Sequence, residues 1–65
     1  MKTQLENIGF KHVLEHFRYV LPNGNKIVVY SDGMTLLFNE DSQRTKLFDS
    51  ATIEEIENLI KALAI

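Results

Sequence analysis

The stretch HFRYVLPNGNKIVVYSDGMTLLFN, residues 16–39, decides the fold. It holds three runs of apolar and β-branched residues cut by two turn signals, which reads as three antiparallel strands. At the first break Pro22 presets φ, Asn23 tolerates the bridge region, and Gly24 takes a positive φ at little steric cost. That order predicts a three-residue loop, a type I turn followed by a left-handed glycine. Leu21 then faces Asn25, Tyr19 faces Ile27, and Phe17 faces Val29. At the second break Asp32-Gly33 predicts a two-residue type I′ loop, which pairs Ser31 with Met34, Val29 with Leu36, and Ile27 with Phe38.

Directly paired residues share a face, and faces alternate along a strand. One face is therefore predicted to carry Phe17, Tyr19, Leu21, Ile27, Val29, Met34, Leu36 and Phe38. The other is predicted to carry His16, Arg18, Val20, Lys26, Val28, Tyr30, Thr35 and Leu37. Slipping the first hairpin by one residue would blur this partition, which favours the register chosen.

Outward from the sheet, Thr52 and Glu55 have capping-box spacing, and Ile53, Ile56, Leu59, Ile60 and Leu63 form one apolar stripe. Glu54 and Glu55 in the first turn and Lys61 near the last complement the macrodipole of that C-terminal helix. Thr3 and Glu6 repeat the capping spacing ahead of Gly9, predicting a short helix over 3–8 with Leu5 and Ile8 inward. Residues 10–15 are ambiguous. Phe10, Val13, Leu14 and Phe17 fall at helical spacing, yet the sheet already claims Phe17, which favours an extended segment. Arg44 to Phe48 reads as a fourth strand beside the third, with Leu47 joining Leu36 on the core face. No internal repeat is legible. The expected fold is a single α+β domain over residues 1–65. It consists of a three- or four-stranded antiparallel meander with the C-terminal helix, and the short N-terminal one, on one face.

A chain of 65 residues buries only about 60% of its unfolded surface and is marginal alone. It has no cysteine, so neither a disulfide framework nor a cysteine-ligated metal supports it. Oligomerisation or a bound partner is the expected compensation. No apolar run approaches a membrane span and the start carries no signal-peptide pattern, which points to the cytoplasm. The net charge of −2 argues against strong nucleic-acid binding. The charge is uneven, however: Lys11, Arg18, Lys26, Arg44 and Lys46 lie in or near the sheet, and Asp49, Glu54, Glu55 and Glu57 at the last helix.

His12-Val13-Leu14-Glu15-His16 matches the H-x-x-E-H pattern of inverted zinc metallopeptidases. Five matched residues in so short a chain weigh more towards two surface histidines flanking a glutamate. Asp32, Glu40 and Asp41 lack the glycine and spacing of a calcium loop, and no metal or cofactor is expected. The order helix, Gly-Phe, three strands, helix is loosely similar in layout to the small mRNA-interferase toxins with a double-stranded-RNA-binding-like fold. That resemblance implies RNA as substrate and a histidine at the start of the first strand, in the place of His16, as the acting residue. The Gly-Ser pair before that histidine is Leu14-Glu15 here, so one residue carries the likeness.

The predicted outer face carries the functional expectation. Val20, Val28 and Leu37 would be neighbours across three strands, with Tyr30 alongside and Arg18, Lys26 and His16 around them. A contiguous apolar patch with an aromatic and an arginine suits a protein interface. The first reading is a small non-enzymatic binding protein using Arg18, Val20, Lys26, Val28, Tyr30 and Leu37, as a homodimer or against another protein. Its size would suit an inhibitor or adaptor of phage or mobile-element origin. On that reading Val28→Asp would spare the fold and abolish association. The second is weak single-stranded nucleic-acid binding through the same face, with Arg18, Lys26, Tyr30 and Lys46.

Overall fold

The computed structural model describes residues 2–63. The elements run α1 (Lys2–Ile8), β1 (Lys11–Val13), β2 (His16–Val20), β3 (Lys26–Tyr30), β4 (Thr35–Phe38), β5 (Arg44–Phe48) and α2 (Ile53–Leu63). The strands form one antiparallel sheet in the order of the chain. The α+β class and the helix positions agree with the sequence; the sheet has five strands rather than three or four. Residues 11–13 are extended and pair with β2, and Leu14-Glu15 makes the connecting turn. Leu14 holds φ 56° there without being a glycine, so the hairpin carries no turn residue for a reader of the sequence to find.

Both helices lie on one face. Leu5 of α1, Ile56 and Ile60 of α2, and Phe17, Ile27 and Val29 of the sheet form one buried cluster with Phe10, Leu21 and Ala51. The C-terminus of α1 is a Schellman motif: Phe10 N–H donates to the Leu5 carbonyl at 3.0 Å and Gly9 N–H to that of Glu6 at 3.1 Å. Gly9 stands at φ 121°, and a Cβ there would meet the Tyr19 ring at 3.1 Å. At α2 the capping box is reciprocal. Thr52 N–H donates to Glu55 Oε1 at 2.9 Å, and Glu55 N–H to Thr52 Oγ1 at 3.2 Å. The matching spacing at Thr3 is not used as a cap, because α1 already includes Lys2 and an N-cap residue must lie outside the helix.

Three of the four hairpins share one plan. In each, the residue before the loop donates its N–H to the carbonyl of the residue four further on, and its own carbonyl accepts from the N–H of the last loop residue. Leu21 does so with Asn25 and Gly24, Tyr30 with Met34 and Gly33, and Asn39 with Gln43 and Ser42. An Asx side chain braces each loop: Asn23 accepts from Asn25 N–H, Asp32 from Met34 N–H, and Asn39 from Asp41 and Gln43 N–H. The last loop residue is left-handed in all three, Gly24 at φ 94°, Gly33 at 92° and Ser42 at 64°. The loops recur at a constant interval, a conformational repeat that the residue identities do not reveal.

Ser42 is strained where its counterparts are glycines. Ser42→Gly is expected to raise unfolding stability by about 0.5–1 kcal/mol, the left-handed penalty less the added chain entropy. Urea unfolding measures it, and an unchanged midpoint would show that the serine pays no such penalty.

The second loop corrects the expected register. It is the three-residue Ser31-Asp32-Gly33, not a two-residue type I′ turn, because Asp32 does not take the positive φ that turn needs. Pairing becomes Val29 with Thr35, Val28 with Leu36, Ile27 with Leu37, and Lys26 with Phe38. The slip of one residue exchanges the faces of β4. Thr35 and Leu37 turn towards the helices. Thr35 is fully buried and donates to the Gly33 carbonyl at 3.1 Å. Leu36 and Phe38 turn to the other face, as their pairing with Val28 and Lys26 requires. In β5, Leu36 faces Lys46 and Thr35 faces Phe48, so Leu47 occupies a bulge and Phe48, not Leu47, reaches the core.

Candidate binding face

The face turned away from the helices can be laid out row by row from the pairing. Its central row crosses all five strands: Lys11, Arg18, Val28, Leu36, Lys46. On one side lie Val20, Lys26, Phe38 and Arg44. On the other lie Val13, His16 and Tyr30. Of the seven lysines and arginines in the chain, Lys11, Arg18, Lys26, Arg44 and Lys46 are here, and only Lys2 and Lys61 are on helices. None of the nine carboxylates is in a strand. The exposed side of α2 carries Glu54, Glu55 and Glu57, so a chain of net charge −2 is basic on one side and acidic on the other.

Among the described residues only Lys46 makes an ion pair, Nζ to Asp49 Oδ1 at 2.6 Å. The hydrogen bond to Asp49 and the charge behind it raise the Lys46 pKa above the usual lysine value. Lys11, Arg18, Lys26 and Arg44 make no ion pair among those residues.

The face is not flat. A cavity of about 430 Å³ opens between β2, β3 and β4, with Val28 at its floor and Arg18, Lys26, Tyr30 and Phe38 among its walls. His16 also lines it, its ring tilted against Tyr30 with 5.8 Å between centroids. The β4–β5 loop contributes Asn39, Glu40 and Ser42 to the rim. Asn39 is committed to its own loop, through its two accepted bonds and one donated to Gln43 Oε1 at 3.0 Å.

The residues expected on this face divide. Arg18, Val20, Lys26, Val28 and Tyr30 are brought together there. Leu37 is not: it packs against the core on the helix side, for the register reason given above. Val28 is only 5% exposed and Leu36 only 7%, and both lie outside the main core cluster. The expected protruding apolar patch is thus a sunken floor. Val28→Asp would bury a charge and is no neutral surface probe. Phe38, Leu36, Lys11 and Arg44 were not assigned to the face by sequence. Turn chemistry held the signal, since Ser31-Asp32-Gly33 can copy Pro22-Asn23-Gly24.

His12 and His16 lie on opposite faces of the sheet. His12 stacks on Phe17 at 4.6 Å between centroids on the helix side, while His16 meets Tyr30 on the other. They cannot reach one ion, and no cluster of three metal-ligating side chains occurs among the described residues. His16 opens the second strand, not the first as the interferase layout would have it. Among those residues no helix is long and apolar enough to cross a membrane.

Comparison with protein-family models, curated proteins and solved structures returns no match.

Proposed function

We propose that this protein is a non-enzymatic binding module whose working surface is the uncovered sheet face and whose partner is a polyanion. The segregation of charge carries the reading: five cations share that face and no carboxylate stands on any strand. Clustered charge of one sign raises the local concentration of opposite charge even where the net charge has the other sign. The cavity offers one imidazole, and its one carboxylate, Glu40 on the rim loop, makes no ion pair with it, which favours binding over catalysis. A cytoplasmic location belongs to the same proposal.

Association with another protein or a second copy ranks first on sequence and falls behind here. Leu36 and Phe38 replace Leu37 on the face, but Val28 and Leu36 are almost wholly buried there, so little aliphatic surface is open to a protein partner. A two-fold dimer through this face would also set like charges against each other. Light scattering at neutral pH should give a monomer across a concentration series. A dimer that persists on dilution would restore the earlier ranking.

The direct test is an immobilised polyanion. On heparin at low salt the protein should be retained despite its net negative charge, and added salt should elute it. Passage in the void volume at low salt would sink the reading.

A further inference from the structure

We infer that the polyanion is a single-stranded nucleic acid, with bases stacked on Phe38 and Tyr30 and phosphates held by Arg18, Lys26 and Arg44. The inference rests on the polyanion reading of the face and adds the class of partner.

Charge alone would serve any polyanion, so the rings decide. Phe38 stands in its row between Lys26 on one neighbouring strand and Arg44 on the other. An aromatic flanked by cations can stack a base while the phosphates on either side are neutralised. Tyr30 lies four residues beyond Lys26 on the same strand, so the two rings are separated by about 13 Å along the sheet at roughly 3.3 Å per residue. That gap exceeds the thickness of one base, and the rings therefore serve different bases. Between them lies the cavity, floored by Val28, with Arg18 alongside. A duplex keeps its bases paired and inside and cannot use the rings; a single strand can splay them out. An acidic protein surface would need open aliphatic ground around the rings to pack against. This face offers Val20 as its one strongly exposed large aliphatic, at 59%, and that residue lies outside the cavity lining.

The test measures fluorescence anisotropy with a labelled, unstructured oligonucleotide, as DNA and as RNA, beside its duplex and a poly-glutamate peptide. A dissociation constant of ~10⁻⁴–10⁻⁶ M is expected for the single strand at low salt, about tenfold tighter than for duplex or peptide. With three or four phosphates neutralised, log K should fall with log salt at a slope of about −2 to −3. Phe38→Leu and Tyr30→Leu should each weaken binding about tenfold, and Phe38→Tyr should retain most of it. Heparin retention should be unchanged in the leucine variants, because their charge is unchanged and a misfolded face would lose it. Three results would overturn the inference while leaving the polyanion reading in place: a single strand bound no better than its duplex, or no better than poly-glutamate, or unaffected by both leucine substitutions with heparin retention intact. Loss of heparin retention together with oligonucleotide binding in the unaltered protein would end both.

Discussion

Ile56→Ala should cost about 2–5 kcal/mol of stability, the usual range for truncating a fully buried aliphatic side chain. Ile56 has no exposed surface and lies in the cluster that joins both helices to the sheet. A 65-residue chain commands only about 3–10 kcal/mol in all. At about 4–8 °C per kcal/mol, the melting temperature should drop by roughly 8–40 °C, and the variant should be partly unfolded near physiological temperature. Ile56→Val removes one methyl group and should cost about 0.5–1.5 kcal/mol. Circular dichroism melts of the two variants check both figures. Equal, small shifts would mean that α2 is not packed on the sheet as described.

The second large effect concerns binding. Reversing Arg18, Lys26 and Arg44 to glutamate should abolish heparin retention and weaken polyanion binding by at least about 100-fold, at roughly 1 kcal/mol for each lost ionic contact. Lys26 and Arg44 are exposed and Arg18 is half-buried, so stability should change little. The control is the pair Lys2→Glu and Lys61→Glu, which also makes the protein more acidic but does so on the helices. Retention on heparin should survive in the control and vanish in the triple variant. If both lose it equally, net charge rather than the sheet face governs binding.

Much of this architecture was legible because local chemistry and burial agree. Pro22-Asn23-Gly24 specified its loop, and the pairs Phe17–Val29 and Tyr19–Ile27 followed from it. The stripe from Ile53 to Leu63 and the Thr52–Glu55 cap specified α2. The second hairpin was harder. Thr35-Leu36-Leu37-Phe38 is apolar at most positions, so either register buries something hydrophobic and pattern alone cannot choose. Asp32 decides it by accepting from Met34 N–H and keeping a negative φ, a choice between two loops that both tolerate Asp-Gly. Residues 11–13 are extended, as the reading of 10–15 favoured, but their pairing as a fifth strand escaped because Leu14-Glu15 has none of the residues that announce a turn, while Phe10, Val13, Leu14 and Phe17 mimic a helix. Those two gaps hid the site. Without the true register Phe38 is assigned to the core, and without β1 Lys11 has no place on the face.

The three like-built loops make loop length a selector of faces. Shortening Ser31-Asp32-Gly33 by one residue would turn every side chain of β4 and β5 over, carrying Arg44 and Lys46 to the helix side of the sheet and Phe48 away from the core. Two cations would then stand on the apolar side of the sheet, and the open face would lose their charge. The basic residues of β5 thus act as guards of the register: they make the shifted sheet, which the aliphatic residues alone would tolerate, a poor competitor. Charges that the partner would meet also tell the chain which way up to fold.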